Sequence, residues 1–266
     1  MNHLLRELAP VSDAAWAEIE DEVKPRITAY LAARKLVDFE GPHGWSHSAT
    51  NLGRAVAVGG AAAGVETRQR QVLPLVELRA PFELSRSDLD DIERGASDTD
   101  FSALDDAARQ LAIAENTTVF HGNAGAGITG LVEASGHAPI TFGDDFDRYP
   151  TLVAGAVGVL REAGIDGPYG LAIAPEGFTG IVETTEHGGV LLLDHLNQIL
   201  GGPIVWAPGI DGAAVVSLRG GDFVIDVGED ISIGYLAHTV DRVSLYLEES
   251  FSFRVLEPDA AIALTR

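Results

Sequence analysis

Apolar residues recur at three- and four-residue spacing in several stretches of the chain, which is the pattern of helices with one buried face. The first stretch follows Ser12, whose side chain suits the position just before a helix. Its apolar stripe consists of Trp16, Ile19, Val23, Ile27, Tyr30 and Leu31. Pro25 lies inside this stripe and removes a helix hydrogen bond, so we predict a kink or a break near Val23 and Lys24.

The rest of the chain contains further helical and strand patterns. Helices are predicted over 86–94, 101–121, 151–164, 176–186 and 188–202. The second of these ends at Gly122 and carries on one face Leu104, Ala108, Leu111, Ala112, Glu115 and Val119. Short apolar runs predict buried strands at YGLAIAP, PIVWAP and AAVVSLRGG.

Alternating apolar and polar residues, which are typical of strands with one covered face, dominate two regions. Between Leu52 and Ala80 the chain is extended around the small segment GGAAAG, which predicts a two-stranded arm with a mobile tip. An isolated hairpin is marginal in water, so the arm needs another surface, and a second copy of the chain could supply it. The last fifty residues predict an antiparallel sheet. Because helices and strands are segregated along the chain, an α+β fold is favoured.

Composition narrows the range of functions. The 266 residues are 46% hydrophobic, which is enough for a large core, and the absence of cysteine excludes disulfides and thiolate chemistry. We find neither a signal peptide nor an apolar run of the roughly 20 residues that a membrane span needs, so we predict a cytoplasmic protein with no membrane partner. The net charge of −22 argues against nucleic acid as a partner.

The segment from His43 to Ser48 gathers the residue types of an active site: His43, Trp45, Ser46, His47 and Ser48. The two histidines could reach one metal ion, but Glu40 is the only carboxylate near them in the sequence, and the surrounding glycines would leave the ligands poorly oriented. We therefore predict a solvated loop, with no catalytic, metal-binding or cofactor-binding residues in the chain. An enzyme built on this cluster stays open as an alternative.

Six blocks of the sequence follow one another in a recognisable order. They are LAPVSDAAWAEIEDE, ARKLVDFEGPHGW, LPLVELRAPFELSRSDLDDIERG, GIDGPYGLAI, IVWAPGIDGAAVVSLRGGDF, and GEDISIGY followed by VSLYLEESFSFRV. Together they resemble the encapsulins, bacterial and archaeal nanocompartment shell proteins once described as linocin-type bacteriocins. The resemblance covers nearly the whole chain.

The resemblance implies the Hong Kong 97 phage-capsid fold. Its peripheral domain would comprise 1–40, 80–122 and 219–266, with an extended loop over 41–79 and an axial domain over 123–218. Roughly sixty copies would close into a hollow icosahedral shell. The shell would do no chemistry and need no cofactor, and it would enclose a dye-decolourising peroxidase or a ferritin-like protein that carries a C-terminal targeting peptide.

The resemblance also implies two functional regions. The targeting peptide would dock between the N-terminal helix and the peripheral sheet, on Ile27, Leu31, Arg34, Val37, Asp38, Ile231 and Ile233. The five-fold pore would be lined by Glu186, His187, Gly188 and Gly189. Some encapsulins hold a flavin on an aromatic residue, but Ser87 stands at the matching position here, which argues against a flavin. Two alternatives are a bacteriocin- or protease-like activity and a phage-derived capsid that packages nucleic acid.

Overall fold

A computed structural model describes residues 2–60, 62–143, 145–185 and 189–265. The α-helices in these ranges are α1 Asp13–Tyr30, α2 Arg86–Glu93, α3 Ser102–His121, α4 Leu131–Ala134, α5 Tyr149–Glu162, α6 Pro175–Glu183 and α7 Leu192–Leu200. The strands are β1 Asp38–Glu40, β2 Ala49–Val58, β3 Thr67–Pro74, β4 Val76–Ser85, β5 Ile140–Thr141, β6 Tyr169–Ile173, β7 Gly201–Trp206, β8 Ala213–Ser217, β9 Phe223–Val227, β10 Ser232–His238, β11 Arg242–Val255 and β12 Ala261–Thr265. None of the described helices is both long and apolar enough to cross a lipid bilayer.

Helix α1 runs without interruption over Asp13–Tyr30, so of the kink or break predicted near Val23 and Lys24, the break is wrong. Ser12 accepts a hydrogen bond from the Ala15 amide at 3.2 Å, as predicted for the residue before the helix. Pro25 lies on the exposed face, where water can solvate the carbonyl that loses its amide partner. The opposite face packs into a core shared with α3 and β11, and this burial stabilises the helix across the proline.

The first sheet is built around the long strand β11. Along one edge β11 pairs antiparallel with β4. Along its other edge the first half pairs with β10 and the second half with β9, both antiparallel. β1 extends the sheet by pairing parallel with β9. The antiparallel sheet that the alternating pattern predicted is therefore confirmed for β9, β10 and β11.

The second sheet has the strand order β5-β12-β8-β6-β7. The last strand of the chain, β12, pairs antiparallel with β8 in this sheet, so the prediction that the last fifty residues form one antiparallel sheet is wrong for β12. Its residues from Ala261 to Leu264 are all apolar and all buried. Such a run does not alternate because both of its faces are covered, here within the larger core that α5 and α7 share.

The predicted two-stranded arm is confirmed as the pair β2 and β3. The two strands run antiparallel, with a bulge between Asn51 and Ala55. Within the described ranges they pair with no strand outside the arm. Most of their residues are exposed, including the apolar side chains of Val56, Val58 and Val72. Beyond its base, the arm therefore lacks a covering surface among the described residues of its own chain.

Candidate functional site

An open groove lies between α1, the start of β10 and the N-terminal segment, and its volume is about 430 Å³. It is lined by Leu4, Arg6, Glu20, Val23, Lys24, Ile27, Thr28, Leu31, Arg34, Asp230, Ile231, Ser232 and Ile233. The apolar members form its floor, and charged side chains surround them. The N-terminal segment is fixed against β10 because the Tyr235 amide donates a hydrogen bond to the Leu4 carbonyl at 2.8 Å.

Five of the residues that the resemblance assigned to peptide docking line this groove: Ile27, Leu31, Arg34, Ile231 and Ile233. Val37 and Asp38 do not. They line a separate cavity of about 180 Å³ beside the turn before β9. Asp38 accepts a hydrogen bond from the Gly221 amide, which fixes its carboxylate to that turn. The structure therefore gathers the apolar members and Arg34, and places Val37 and Asp38 elsewhere.

Sequence reasoning missed the contribution of the N-terminal segment to the groove. Leu4 adds apolar surface, and Arg6 forms an ion pair with Glu20 at 2.6 Å across the groove entrance. The guanidinium of Arg6 also lies 4.2 Å from the centre of the Trp16 ring. The only sequence signal was a leucine and an arginine close to the amphipathic helix, and that signal does not show where the segment folds back.

At one end of the groove, Arg34 is the centre of a network of acidic side chains. Its Nε donates to Glu115 at 2.6 Å, its Nη1 to Asp230 at 2.8 Å and its Nη2 to Glu249 at 2.7 Å. The side chains of Glu115 and Glu249 are completely buried. All three guanidinium nitrogens are therefore engaged within the chain, and Arg34 does not act together with Asp38.

The pKa values in this network are set by the position of one cation, Arg34, beside two buried carboxyl groups. Burial lowers the pKa of Arg34, but Glu115 and Glu249 outweigh this effect and hold the pKa above the ordinary value of arginine. Burial, reinforced by the negative charge of Glu115, raises the pKa of Glu249 well above the ordinary value of a carboxyl, despite the attraction of Arg34. Glu249 therefore binds a proton more readily in the folded chain than in the unfolded chain.

This raised pKa predicts a pH dependence of stability. Between the ordinary value of 4.5 and the raised pKa of Glu249, the folded chain retains a proton that the unfolded chain has released, so rising pH destabilises the fold. Glu249→Gln removes this contribution while keeping an acceptor for Arg34. We expect the thermal unfolding temperature of the protein to fall less from about pH 5 to about pH 8 in this variant than in wild type. The exposed Glu93→Gln should keep the wild-type slope, and equal slopes in all three proteins would contradict the prediction.

The histidine cluster lies in a largely exposed loop, as predicted, but its two histidines are also held beside a carboxylate. Nε2 of His43 lies 3.0 Å, and Nε2 of His47 3.6 Å, from Oδ1 of Asp226. The Asp226 side chain is buried on β9, far from the histidines in the sequence, so no local spacing could reveal it. Between the two histidines, Trp45 stacks on the ring of His3, with centroids 3.8 Å apart.

Of the predicted pore residues, Glu186, His187 and Gly188 lie outside the described ranges. Gly189 is exposed and has a φ of 82°, a left-handed conformation that favours glycine. The pore lining stays a prediction.

Comparison with known proteins identifies the family of this chain. The profile of a family described as Linocin_M18, encapsulating protein for peroxidase, matches residues 1–252. A protein of Rhodospirillum rubrum described as a type 1 encapsulin shell protein is 48% identical over 270 residues, which cover 99% of this chain and 96% of that protein. This chain belongs to the encapsulin family. A shorter match, 29% identical over 100 residues, covers 37% of the chain and 29% of a ferritin-like-encapsulin shell fusion protein of Pyrococcus furiosus.

Solved structures confirm the predicted capsid fold. A virus-like particle from Pyrococcus furiosus aligns with a TM-score of 0.64 and 17% identity, over 93% of this chain and 98% of that one. The capsid of Myoviridae phage XM1 aligns with a TM-score of 0.53 and 10% identity, over 86% and 89% of the two chains. The encapsulin chain thus has the α+β fold of Hong Kong 97-like capsids. It is a self-assembling shell protein with a structural and not an enzymatic role.

Proposed function

We propose that roughly sixty copies of this chain close into a hollow icosahedral compartment inside the cell and enclose a cargo enzyme. The cargo is held by a short apolar peptide at its C-terminus, which binds the groove between α1 and β10. The observation that carries the proposal is this groove, where the edge of a packed core stays open and could accept an apolar peptide.

The residues that line the groove indicate which side chains a bound peptide would carry. Ile27, Leu31 and Ile233 are almost fully buried in the floor, and Ile231 is half-buried at its edge. Such a floor suits the aliphatic side chains of an extended peptide, which would add apolar contacts without breaking the packing beneath. The charged side chains at the rim, including Lys24 and Asp230, favour a peptide with polar residues between its apolar anchors.

The descriptions of the relatives support two classes of cargo. The matching family is described as encapsulating a peroxidase, which supports a dye-decolourising peroxidase as cargo. The fusion of a ferritin-like protein to an encapsulin shell supports a ferritin-like protein as the second candidate. In both cases the shell encloses the cargo and admits small molecules through the pore formed near Gly189, and the cargo catalyses the reaction.

Cargo loading depends on the apolar surface at the edge of the groove. Ile231→Asp places a carboxylate there, which a bound aliphatic anchor would leave desolvated and unpaired, so we expect intact but empty shells. The matched control is Ile231→Val, which keeps the surface apolar and should load normally. Cargo is first identified by mass spectrometry of shells from the native organism. Its C-terminal segment, fused to a fluorescent protein, is then co-expressed with each shell variant.

The readout is fluorescence per shell after purification, with negative-stain images to verify assembly. Fluorescence near background for Ile231→Asp, together with wild-type values for Ile231→Val, is the expected result. Equal fluorescence in Ile231→Asp and wild-type shells would refute docking in this groove.

A further inference from the structure

A second group of side chains stands apart from the groove, at the base of the arm. His43, His47 and Asp226 each present one ligand atom, and these atoms all lie within 4.8 Å of one another. We propose that the three residues bind a divalent transition-metal ion of the zinc type. The ion would link the loop that precedes the arm to β9, the strand that carries Asp226.

The separations suit a common ion. Zinc binds imidazole nitrogen and carboxylate oxygen at about 2.0–2.2 Å in tetrahedral geometry, so its ligand atoms lie roughly 3.4 Å apart. Oδ1 of Asp226 is 3.0 Å from Nε2 of His43 and 3.6 Å from Nε2 of His47. Small rotations of the two rings, which are partly exposed, would bring all three atoms to bonding distance. Three protein ligands leave a fourth position for water.

The carboxylate of Asp226 provides the strongest argument. Its side chain is only 6% exposed, and no described residue donates a hydrogen bond in suitable geometry to Oδ1, although Nε2 of His43 is close. Within the described ranges Asp226 forms no ion pair with lysine or arginine. A buried carboxylate oxygen that lacks a well-aligned donor costs free energy, and a bound cation would compensate it.

The opposite oxygen of the same carboxylate is already held in place. Oδ2 of Asp226 accepts a hydrogen bond from the Thr50 hydroxyl at 2.7 Å, and this hydroxyl also contacts the Ser252 hydroxyl at 2.6 Å. Partners of this kind orient the ligands of metal sites. Oδ1 is thereby directed toward the two histidines.

The histidine loop is also fixed before any ion binds. The His43 amide donates to the Val227 carbonyl at 2.9 Å, and the Gly44 amide donates to the Gly228 carbonyl at 2.7 Å. Stacking of Trp45 on His3 anchors the middle of the loop. The glycines that made the loop look poorly ordered in the sequence therefore allow it to lie against the end of β9.

The choice of metal follows from the ligands. Two imidazole nitrogens and one carboxylate suit zinc and neighbouring transition metals, whereas magnesium and calcium prefer oxygen ligands throughout. Because the chain has a net charge of −22, its many carboxylates will also attract cations weakly. A test must therefore saturate these oxygen-only sites with magnesium before zinc is added.

Assembled shells, stripped with a chelator and held in excess magnesium, are titrated with zinc chloride by calorimetry. We expect wild-type shells to bind one zinc ion per chain, and His43→Gln and His47→Gln shells to bind zinc at least about tenfold more weakly. His121→Gln is the matched control, because Nδ1 of His121 lies 3.3 Å from a carboxylate oxygen of Glu133 without a second histidine. It should bind zinc as wild type does.

Elemental analysis of the same shells after gel filtration gives an independent measure of bound zinc. Wild-type shells that bind no zinc at micromolar concentration overturn the proposal, and so do His43→Gln and His47→Gln shells that retain wild-type affinity. Negative-stain images of each variant establish that the particles compared are assembled. Since both histidine side chains are partly exposed, these substitutions leave the core intact.

Discussion

Replacing Arg34 with methionine will lower the thermal unfolding temperature of the shells by roughly 10 °C. The substitution leaves Glu115 and Glu249 buried without their cation. Removing one partner of a buried ion pair costs about 3–5 kcal/mol, because the remaining charge keeps its desolvation penalty. For a chain of this size each kcal/mol corresponds to roughly 2–4 °C in unfolding temperature. Calorimetry of purified shells gives the shift.

Two further variants separate the charge effect from loss of side-chain packing. Arg34→Met combined with Glu115→Gln and Glu249→Gln also removes the two buried carboxyl groups that face Arg34 and should recover most of the lost stability. Arg26→Met removes an exposed arginine that pairs with Glu22 on the surface of α1, and it should change the unfolding temperature little. An Arg34→Met shell that unfolds at the wild-type temperature would show that the network contributes nothing to stability. If Arg34→Met is insoluble, recovery of folded shells by the triple variant is the test.

The second large effect concerns the arm. Val56→Asp combined with Val58→Asp should prevent closed particles from forming while leaving a folded chain. These two valines lie on the same face of β2 and are 41% and 39% exposed, so a substantial part of each apolar side chain is left uncovered within the described chain. In a self-assembling shell a neighbouring subunit is the surface that can cover them. A carboxylate at each position would then be buried without a partner at that contact.

The matched control is Val56→Thr with Val58→Thr, which keeps the branched shape and the strand preference without adding charge. Size-exclusion chromatography and negative-stain images will show hollow particles for this control and smaller species for the aspartate variant. Far-UV circular dichroism verifies that both variants retain wild-type secondary structure. Normal particles formed by the aspartate variant would mean that the arm does not need this apolar face for assembly.

Local patterns in the sequence were sufficient for most of the secondary structure. The amphipathic stripe of α1 and the alternation of β2 and β3 depend on residues within a few positions of one another, so periodicity shows them directly. The prediction of a helix break near Pro25 was wrong because the sequence does not reveal that Pro25 lies on the exposed face, where the missing hydrogen bond is tolerated. The prediction that β12 belongs to the C-terminal antiparallel sheet was wrong because β12 is buried on both faces, and such a strand does not alternate.

The candidate sites also contain some features that the sequence could show and others that depend on packing. The resemblance of six sequence blocks to the encapsulins was enough to predict the family, the capsid fold and five of the residues that line the groove between α1 and β10. Placing Glu115 on the buried face of α3 was also within reach of the sequence. Its pairing with Arg34, together with Asp230 and Glu249, was not, because these four residues meet only when the segment after α1, α3 and the first sheet pack together.

By itself, the sequence therefore determined the helices, the arm and the family, since these rest on short-range periodicity and on blocks of residues read in order. Only the tertiary structure decided that Asp38 leaves the groove, that Leu4 enters it, and that Asp226 faces His43 and His47. The physical reason is that packing brings together side chains from distant parts of the chain. Charge compensation and ligand geometry depend on those three-dimensional distances, which no spacing along the chain records.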